Sequence, residues 1–565
     1  MKLKKKLAIG IENYKEIIDK SYYYVDKTSL IQSLLDDGNK VTLFTRPRRF
    51  GKTLTLSMLK TFFENEVDWN GVPIQNAHYF DHMKISNSGN EYLSHMGKYP
   101  VISLSLKAAK QPTFALSYAK LCEQISYEFV RHRYILQSDR LLTYQKQQYE
   151  SFMSGSADEA SYATALKFLC DCLKTYHNQN VIVLIDEYDV PLENAYFRKF
   201  YEQMTDFIRS LFESVLKGND HLEFAVITGC LRISKESIFT GLNNLKIRSV
   251  MNQSYAEYFG FTPDEVQKML AFYDLSDKQK EVHKWYDGYL FGETEVYNPW
   301  SVINYISDMV RGDTKFPKPY WSNTSSNSII RTLIDFSDSS VKKEVEDLIA
   351  GNTIEKPIYE DITYEDVYKS QNNLWNFLFF TGYLKSVNQR FEVDTIYSTM
   401  KIPNEEIRYI YRTTIREWFH EKIQTSNYPT FYQDFLSGNC SEIQKFINSQ
   451  LSDSISYYDN AENFYHGYLL GILGGIPGYE IESNKEHGDG RPDLLLKPNQ
   501  PEHPAVIIEM KRVSVFKDME HACLAALDQI EEKQYAKSLV NEGYSQLLKY
   551  GICFCKKSCM VRLQK

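Results

Sequence analysis

The hydrophobic and polar positions of this chain change period several times, and each change marks a structural boundary. Leu30, Ile31, Leu34 and Leu35 fall at helical spacing behind Asp26-Lys27-Thr28, and Gly38 stops the run. Ser21 to Val25, rich in Tyr, reads as a strand before them. Val41-Thr42-Leu43-Phe44 is a short apolar run, followed by a polar loop and then by a helix-like run from Leu54 to Phe63. Val101 to Leu106 alternates as a half-buried strand does, and residues 113–175 read as a long helical region. Val181-Ile182-Val183-Leu184-Ile185 is aliphatic without interruption, which predicts a strand covered on both faces in a parallel sheet. Glu223 to Gly229 predicts the next strand.

Beyond residue 250 the texture changes. Trp285-Tyr286-Asp287-Gly288-Tyr289 and Tyr297-Asn298-Pro299-Trp300-Ser301 are aromatic turns between helical runs. Few basic residues interleave with them, so a packed lid over a ligand is favoured over a stacking surface for nucleic acid. Residues 350–450 alternate helices with a strand pair near Phe391 to Ile402, and Asn376 to Leu384 is a strongly apolar helix end. Ala461 to Leu473 is again helical, and the segment from Gly551 reads as a terminal strand. At roughly 100–200 residues per domain, 565 residues predict about three or four domains. The changes in texture place their boundaries at 1–250, 251–350, 351–454 and 455–565. There is no internal repeat and no low-complexity linker.

Composition narrows the function classes. The net charge of -8 excludes a generic polyanion binder, so any nucleic-acid surface must be local. The 42 Tyr and 32 Phe argue against disorder. Nine scattered cysteines, an odd number, do not form a disulfide framework and fit a reducing cytoplasm. Cys553, Cys555 and Cys559 lack the second ligand pair of a zinc site. Lys2-Leu3-Lys4-Lys5-Lys6 resembles the start of a signal peptide, but the apolar run after it is too short. No 18-residue apolar run predicts a membrane span.

Two constellations carry chemistry. The first is Thr45-Arg46-Pro47-Arg48-Arg49-Phe50-Gly51-Lys52-Thr53, between a strand and a helix. Gly51 lets backbone N–H groups approach a phosphate, Lys52 supplies a compact cation, and Thr53 offers a hydroxyl to Mg2+. The pattern G-x-x-x-x-G-K-[ST] would put glycine at position 46, where this chain has Arg46. The loop then turns without that glycine, helped by the fixed φ of Pro47, and Arg46 is either a tolerated substitute or an added cation beside the phosphates. Asp186 and Glu187 end the aliphatic strand, where open α/β sheets bind ligands. Asp186 is expected to hold Mg2+, and Glu187 to polarise the attacking water. Thr228 and Arg232 are candidates for reaching the γ-phosphate, and Asp189 is read as helix N-terminal charge.

The second constellation lies near the C-terminus. Leu494-Leu495-Leu496 and Ala505 to Lys511 flank a polar, Pro-rich turn, Lys497 to Pro504, and read as a hairpin. Asp493 and Glu509 are symmetric about position 501, so in a simple hairpin they face each other. Glu509 and Lys511 are two apart and share a face. Two carboxylates side by side repel unless a cation joins them, and Mg2+ takes such oxygens together with phosphate oxygens and water. Asp493 and Glu509 are therefore candidate metal ligands, with Glu462 on the preceding helix as a further one and Glu486 nearby. Lys511 is placed to orient or stabilise the attacking water. Gln529 and Lys533, four apart, share a helix face and could complete a polar wall. His466 is read as a packed or capping residue.

Together these residues resemble a bacterial family in which an AAA-ATPase-like domain of STAND type, with its P-loop, precedes a PD-(D/E)XK nuclease-superfamily domain. The likeness rests on Tyr22 to Thr28, Thr45 to Thr53, Ile185 to Asp189, Arg232 to Phe239, Trp285 to Tyr289, and Asp493, Glu509 and Lys511. Arginine in place of the first loop glycine is usual in such proteins. The resemblance implies an α/β chain: a P-loop NTPase core with a parallel sheet, a helical or winged-helix-like lid and connector, and a restriction-endonuclease-like α/β domain. It implies ATP and Mg2+ for the first domain and metal-dependent phosphodiester cleavage for the second. The catalytic candidates are then Glu187, Asp493, Glu509 and Lys511. The expected partner is nucleic acid, DNA favoured, with a homo-oligomer conceivable and no membrane. The expected function is an ATPase whose nucleotide state regulates a nuclease. The alternative is an ATP-dependent switch whose C-terminal domain binds nucleic acid or protein without cutting. Plain ATP-driven remodelling ranks last, because no substrate-threading loop is recognisable.

Overall fold

The computed structural model describes residues 4–68, 70–231, 238–239, 242–321, 330, 339–360, 364–367, 370–414, 428–453, 462–483, 491–500 and 502–564. They divide into two units, one of residues 1–326 and 353–409 and one of residues 327–352 and 410–565. Uninterrupted apolar runs build the first. Val41–Thr45 (β1) and Val181–Asp186 (β3) are buried along their whole length. With Val101–Ser105 (β2), Leu222–Gly229 (β4) and Leu245–Arg248 (β5) they form a parallel sheet of order β2-β3-β4-β1-β5. Because β4 runs between β1 and β3, the C-terminal ends of all three lie side by side. That edge carries Thr45, Asp186 and Thr228 and is where an open α/β sheet binds its ligand.

The helix Ser29–Asp37 starts and stops where its pattern predicts. The Asp26 carboxylate accepts from the backbone N–H and hydroxyl of Thr28 at 2.8 and 2.7 Å, and Gly38 ends the helix at φ 58°. Two sequence expectations change. Ser21 to Val25 forms no strand: Tyr23 makes an isolated bridge to Leu7, and its ring packs on Phe272 and Tyr273. The region 113–175 is broken into Phe114–Arg131, Thr143–Met153, Glu159–Ala163 and Ala165–His177, with short 3-10 and turn segments between. Thr113 and Asp158 accept from backbone N–H groups at two of the helix starts.

The first unit also contains residues beyond 250. The helices Pro263–Phe272, Gln279–Tyr286 and Pro299–Arg311 share a core that includes Phe261, Leu270, Tyr286, Tyr305 and Ile306. A short hairpin, Tyr289–Phe291 (β6) with Thr294–Val296 (β7), follows the second of them. Ile354–Ile358 (β8), Lys385–Glu392 (β9) and Thr395–Lys401 (β10) form an antiparallel sheet of order β8-β10-β9 behind the helix Gln371–Phe380. The strand pair expected near Phe391 to Ile402 thus has a third member.

In the second unit, Tyr479–Ser483 (β11), Leu494–Pro498 (β12), Ala505–Arg512 (β13), Leu547–Cys555 (β14) and Ser558–Gln564 (β15) form a mixed sheet in chain order. Only β13 and β14 run parallel. Alternation along β12 and β13 sorts their side chains to two faces. Leu494, Leu496, Val506, Ile508 and Met510 pack with Phe431, Phe435, Ile443, Ile447, Tyr465 and Leu469. Leu495, Ala505 and Ile507 pack with Leu527, Ile530, Tyr535 and Leu539. The helices Pro429–Ser437 and Cys440–Asp453 therefore share a core with the C-terminal sheet.

Candidate functional site

The phosphate loop leaves β1 and enters the helix Lys52–Phe63 through Gly51, whose φ of 81° is the left-handed region glycine tolerates. The other left-handed residue of the loop is Arg49, at φ 71°. Position 46 does not have a positive φ, so no glycine is required there. Arg46 is fully buried, and its Nη1 donates to the carbonyls of Thr45 and Arg248 at 2.9 and 2.8 Å. Its guanidinium lies 5.2 and 5.0 Å from the Phe259 and Phe291 rings, as cation–π pairs do. Burial pulls it below the ordinary arginine value. Of the two expectations for Arg46, these contacts fit a substitute for glycine: Arg46 ties the loop to the residues downstream of 250.

Its neighbours do the same. Phe50 packs edge-on against Tyr289 at 5.0 Å and against Phe291 at 5.2 Å. The Arg49 guanidinium lies 4.4 Å from the Trp300 ring, and Arg48 pairs with Glu193 at 2.5 Å. A Cβ on Gly382 would stand 3.0 Å from Pro47 Cβ. The aromatic turns beyond 250 thus clamp the outside of the loop.

Inside the loop the groups that would meet phosphate and metal hold one another. Lys52 Nζ donates to the carbonyls of Arg46 and Pro47, each at 2.9 Å. Thr53 Oγ1 donates to Asp186 Oδ2 at 2.7 Å, and Thr228 Oγ1 to Asp186 Oδ1 at 2.5 Å. Asp186 and Thr228 are buried, so Thr228 fixes the carboxylate from the neighbouring strand. Glu187 follows at φ 52°, and burial, with Asp186 beside it, raises its carboxyl above the ordinary range. Thr53 and Asp186 together offer a hydroxyl and a carboxylate, oxygen donors that a hard divalent cation accepts. Arg232 lies outside the described residues.

Asp189 has a role the sequence did not reveal. Its side chain makes no cap to its own helix; it crosses to the end of β4 and accepts from the N–H groups of Cys230 and Leu231 at 2.8 and 3.1 Å. Tyr188 joins the same latch through its hydroxyl, which donates to the Leu231 carbonyl at 2.6 Å. Gly229 is required beneath it, because a Cβ there would stand 2.5 Å from Tyr188 Cε1.

In the second unit the hairpin register is the symmetric one. Leu494 pairs with Ile508, Leu495 with Ile507 and Leu496 with Val506. One step further along, Asp493 meets the Glu509 end of β13: its Oδ2 accepts from Met510 N at 2.7 Å. Glu509 and Lys511 point to the face covered by the helix Met519–Glu532. There Gln529 donates to Glu509 Oε1 and accepts from Lys511 Nζ at 2.6 Å, while Lys511 stands 3.5 Å from Glu509. Glu509 Oε2 is buried without a hydrogen-bond partner. Burial, with Asp493 alongside, pushes the Glu509 carboxyl up to about 7. An orphaned carboxylate oxygen beside a second carboxylate fits a hard divalent cation, which would neutralise both.

Lys533 is exposed at the end of its helix. His466 Nε2 lies 2.9 Å from the Asp493 carbonyl oxygen and 3.1 Å from Ser483 Oγ, so it buttresses the Asp493 turn through the backbone. Glu462 begins the helix Glu462–Leu473, but its side chain, like Glu486, lies outside the described residues. Cys553, Cys555 and Cys559 are buried in β14 and β15.

Residues 8–239 match the family described as "Predicted AAA-ATPase", and residues 460–563 match the PD-(D/E)XK nuclease superfamily. A curated relative, the "Uncharacterized protein in vnfD 5'region" of Azotobacter chroococcum mcd 1, is 28% identical over 338 residues. That match covers 59% of this chain and 56% of the relative, so the chain spans little more than half of that protein. No helix among the described residues is long and apolar enough to cross a membrane. The chain carries an AAA-ATPase-like domain over residues 8–239 and a PD-(D/E)XK nuclease-superfamily domain over residues 460–563.

Proposed function

We propose that this protein binds and hydrolyses ATP, and that its nucleotide state regulates a Mg2+-dependent nuclease acting on DNA. The observation that carries the nuclease reading is the buried, unpartnered Oε2 of Glu509 beside Asp493, with Lys511 and Gln529 closing the cluster. Asp493 and Glu509 would hold Mg2+, which when bound supplies charge neutralisation and an acidified water. Lys511 orients the water and offsets the charge that develops on the phosphate, and Gln529 fixes Lys511 and Glu509 relative to each other. In the first domain Lys52 and the N-terminus of its helix receive the phosphates. Thr53 and Asp186 hold the nucleotide's Mg2+, and Glu187, raised by burial, takes up the water's proton.

The test is cleavage of plasmid and linear DNA with Mg2+ or Mn2+, with and without ATP, by wild type, Asp493→Asn and Lys52→Ala. The proposal expects metal-dependent cutting that Asp493→Asn abolishes and that loses its ATP response in Lys52→Ala. Equal cutting by Asp493→Asn overturns the nuclease assignment. ATP-dependent retention of DNA without cutting would favour a binding switch instead.

A further inference from the structure

Outside both sites, His283, Asp287 and Glu295 bring one ligand atom each within 4.8 Å of one another. The fold fixes this meeting. His283 and Asp287 are four residues apart, at the last turn and C-cap of the helix Gln279–Tyr286. Glu295 lies on β7 opposite Leu290 of β6. Asp287 is the telling member. It is 1% exposed, and neither of its carboxylate oxygens has a hydrogen-bond partner. His283 Nε2 nevertheless stands 3.0 Å from Asp287 Oδ2. A buried carboxylate is ordinarily satisfied by donors, because leaving it bare costs its hydration with nothing in return. Around the carboxylate stand one imidazole and a second carboxylate, both exposed and able to move, together with the Gly288 N–H, the Tyr297 hydroxyl and the Lys385 ammonium.

We propose that His283, Asp287 and Glu295 form a site for a divalent transition-metal ion, with zinc the preferred occupant. One imidazole nitrogen and two carboxylate oxygens are a donor set that zinc accepts in tetrahedral geometry, with water in the fourth position. In tetrahedral geometry two ligand atoms each ~2.1 Å from the ion stand ~3.4 Å apart. Ligand atoms up to 4.8 Å apart therefore close by as much as roughly 1.4 Å, a movement for the exposed side chains of His283 and Glu295. The competing occupant is an ammonium: Lys385, with Lys401 behind it, is the cation that interacts with Asp287 and Glu295. If Lys385 suffices, no metal binds.

The site's position gives it a role. The ion would pin the helix Gln279–Tyr286 to the β6–β7 hairpin, and β6 presents Tyr289 and Phe291 to Phe50 of the phosphate loop. The zinc is therefore structural, and it stiffens the clamp on that loop.

The experiment is zinc titration of the full-length protein after dialysis against chelator, without nucleotide, read by bound-metal analysis and calorimetry. Asp493→Asn is included so that the C-terminal carboxylates are not counted. One tight equivalent is expected in wild type and in Asp493→Asn. His283→Ala and Glu295→Gln, both at exposed positions, are expected to weaken it on the order of 10²-fold. Zinc should raise the thermal midpoint of wild type but not of these two variants. Cys553→Ser should bind like wild type. Absence of a tight equivalent in wild type, or unchanged uptake in both His283→Ala and Glu295→Gln, overturns the proposal.

Discussion

The two candidate sites solve opposite problems. At the phosphate loop the reactive groups are satisfied by the chain itself: Lys52 by loop carbonyls, and Thr53 and Thr228 by Asp186. At the C-terminal cluster a carboxylate oxygen is buried without a partner, next to another carboxylate. A ligand at the first site must exchange existing hydrogen bonds for its own, so affinity is reduced by what it displaces. A cation at the second relieves a penalty the fold already carries. The first arrangement suits a reversible switch, because both states are satisfied. The second suits a preorganised reaction centre, because it is incomplete without its ion.

The sharpest break of this contrast is at Asp493. Asp493→Asn keeps an acceptor for Met510 N–H but removes a charge. DNA cleavage should fall on the order of 10³-fold, with the far-UV spectrum unchanged. At the other site, Lys52→Ala removes the phosphate cation and should weaken ATP binding about 10²-fold, the factor that loss of a charged hydrogen bond of about 3 kcal/mol gives. Glu187→Gln should leave binding near wild type while hydrolysis falls about 10²- to 10³-fold. A nucleotide-binding loss in Glu187→Gln as large as in Lys52→Ala would show that Glu187 supports the loop instead of the water.

The C-terminal cluster also predicts a response to pH. Burial, with Asp493 alongside, raises the Glu509 carboxyl in the folded state from its ordinary 4.5 to about 7. Between those values the folded state holds a proton that the unfolded state has released. Stability of the metal-free protein therefore falls as pH rises across that window. The full shift corresponds to about 3 kcal/mol, an upper bound. Glu509→Gln carries no such charge, so in chelator the variant should gain on wild type as pH rises from 5 to 8, measured by denaturant melts. Parallel pH profiles for the two proteins would show that Glu509 is not the strained group. Saturating Mg2+ should reduce the difference. Gln529→Ala is a smaller perturbation: it leaves both carboxylates but frees Lys511, and cleavage should drop roughly 10- to 100-fold.

How much of this was legible depended on sequence distance. The Asp493–Glu509 register follows from a short turn and alternation alone, so the symmetry about position 501 located it. The same parity sends Glu509 and Lys511 toward the following helix, where Gln529 stands. The buried runs of β1 and β3 were equally plain. Contacts that depend on packing between distant segments were not. Asp189 finds its donors at Cys230 and Leu231 because β4 adjoins β3, an adjacency no local pattern encodes. The partners of the helices Pro429–Ser437 and Cys440–Asp453 were no more legible, because amphipathicity says that a face is buried, not against which sheet.

Arg46 is the hardest of these cases and gives the smallest predicted effect. Its aromatic neighbours, Phe259 and Phe291, lie more than 200 residues further along the chain. Read beside Gly51 and Lys52 it looks like a phosphate ligand; read in the fold it is a buried cation with Nε and Nη2 unpartnered. A buried charge with incomplete hydrogen bonding adds little net stability, and an apolar side chain of similar length often replaces one at no loss. Arg46→Met should therefore keep the ring contacts and shift stability by no more than about 1 kcal/mol, with ATP affinity within about threefold of wild type. Arg46→Gly, which restores the usual loop glycine, should do worse because it empties the space between the two rings. If Arg46→Met instead lost ATP binding as Lys52→Ala does, the guanidinium would be meeting phosphate in the bound state. The loop and its aromatic clamp would then have to rearrange together on binding.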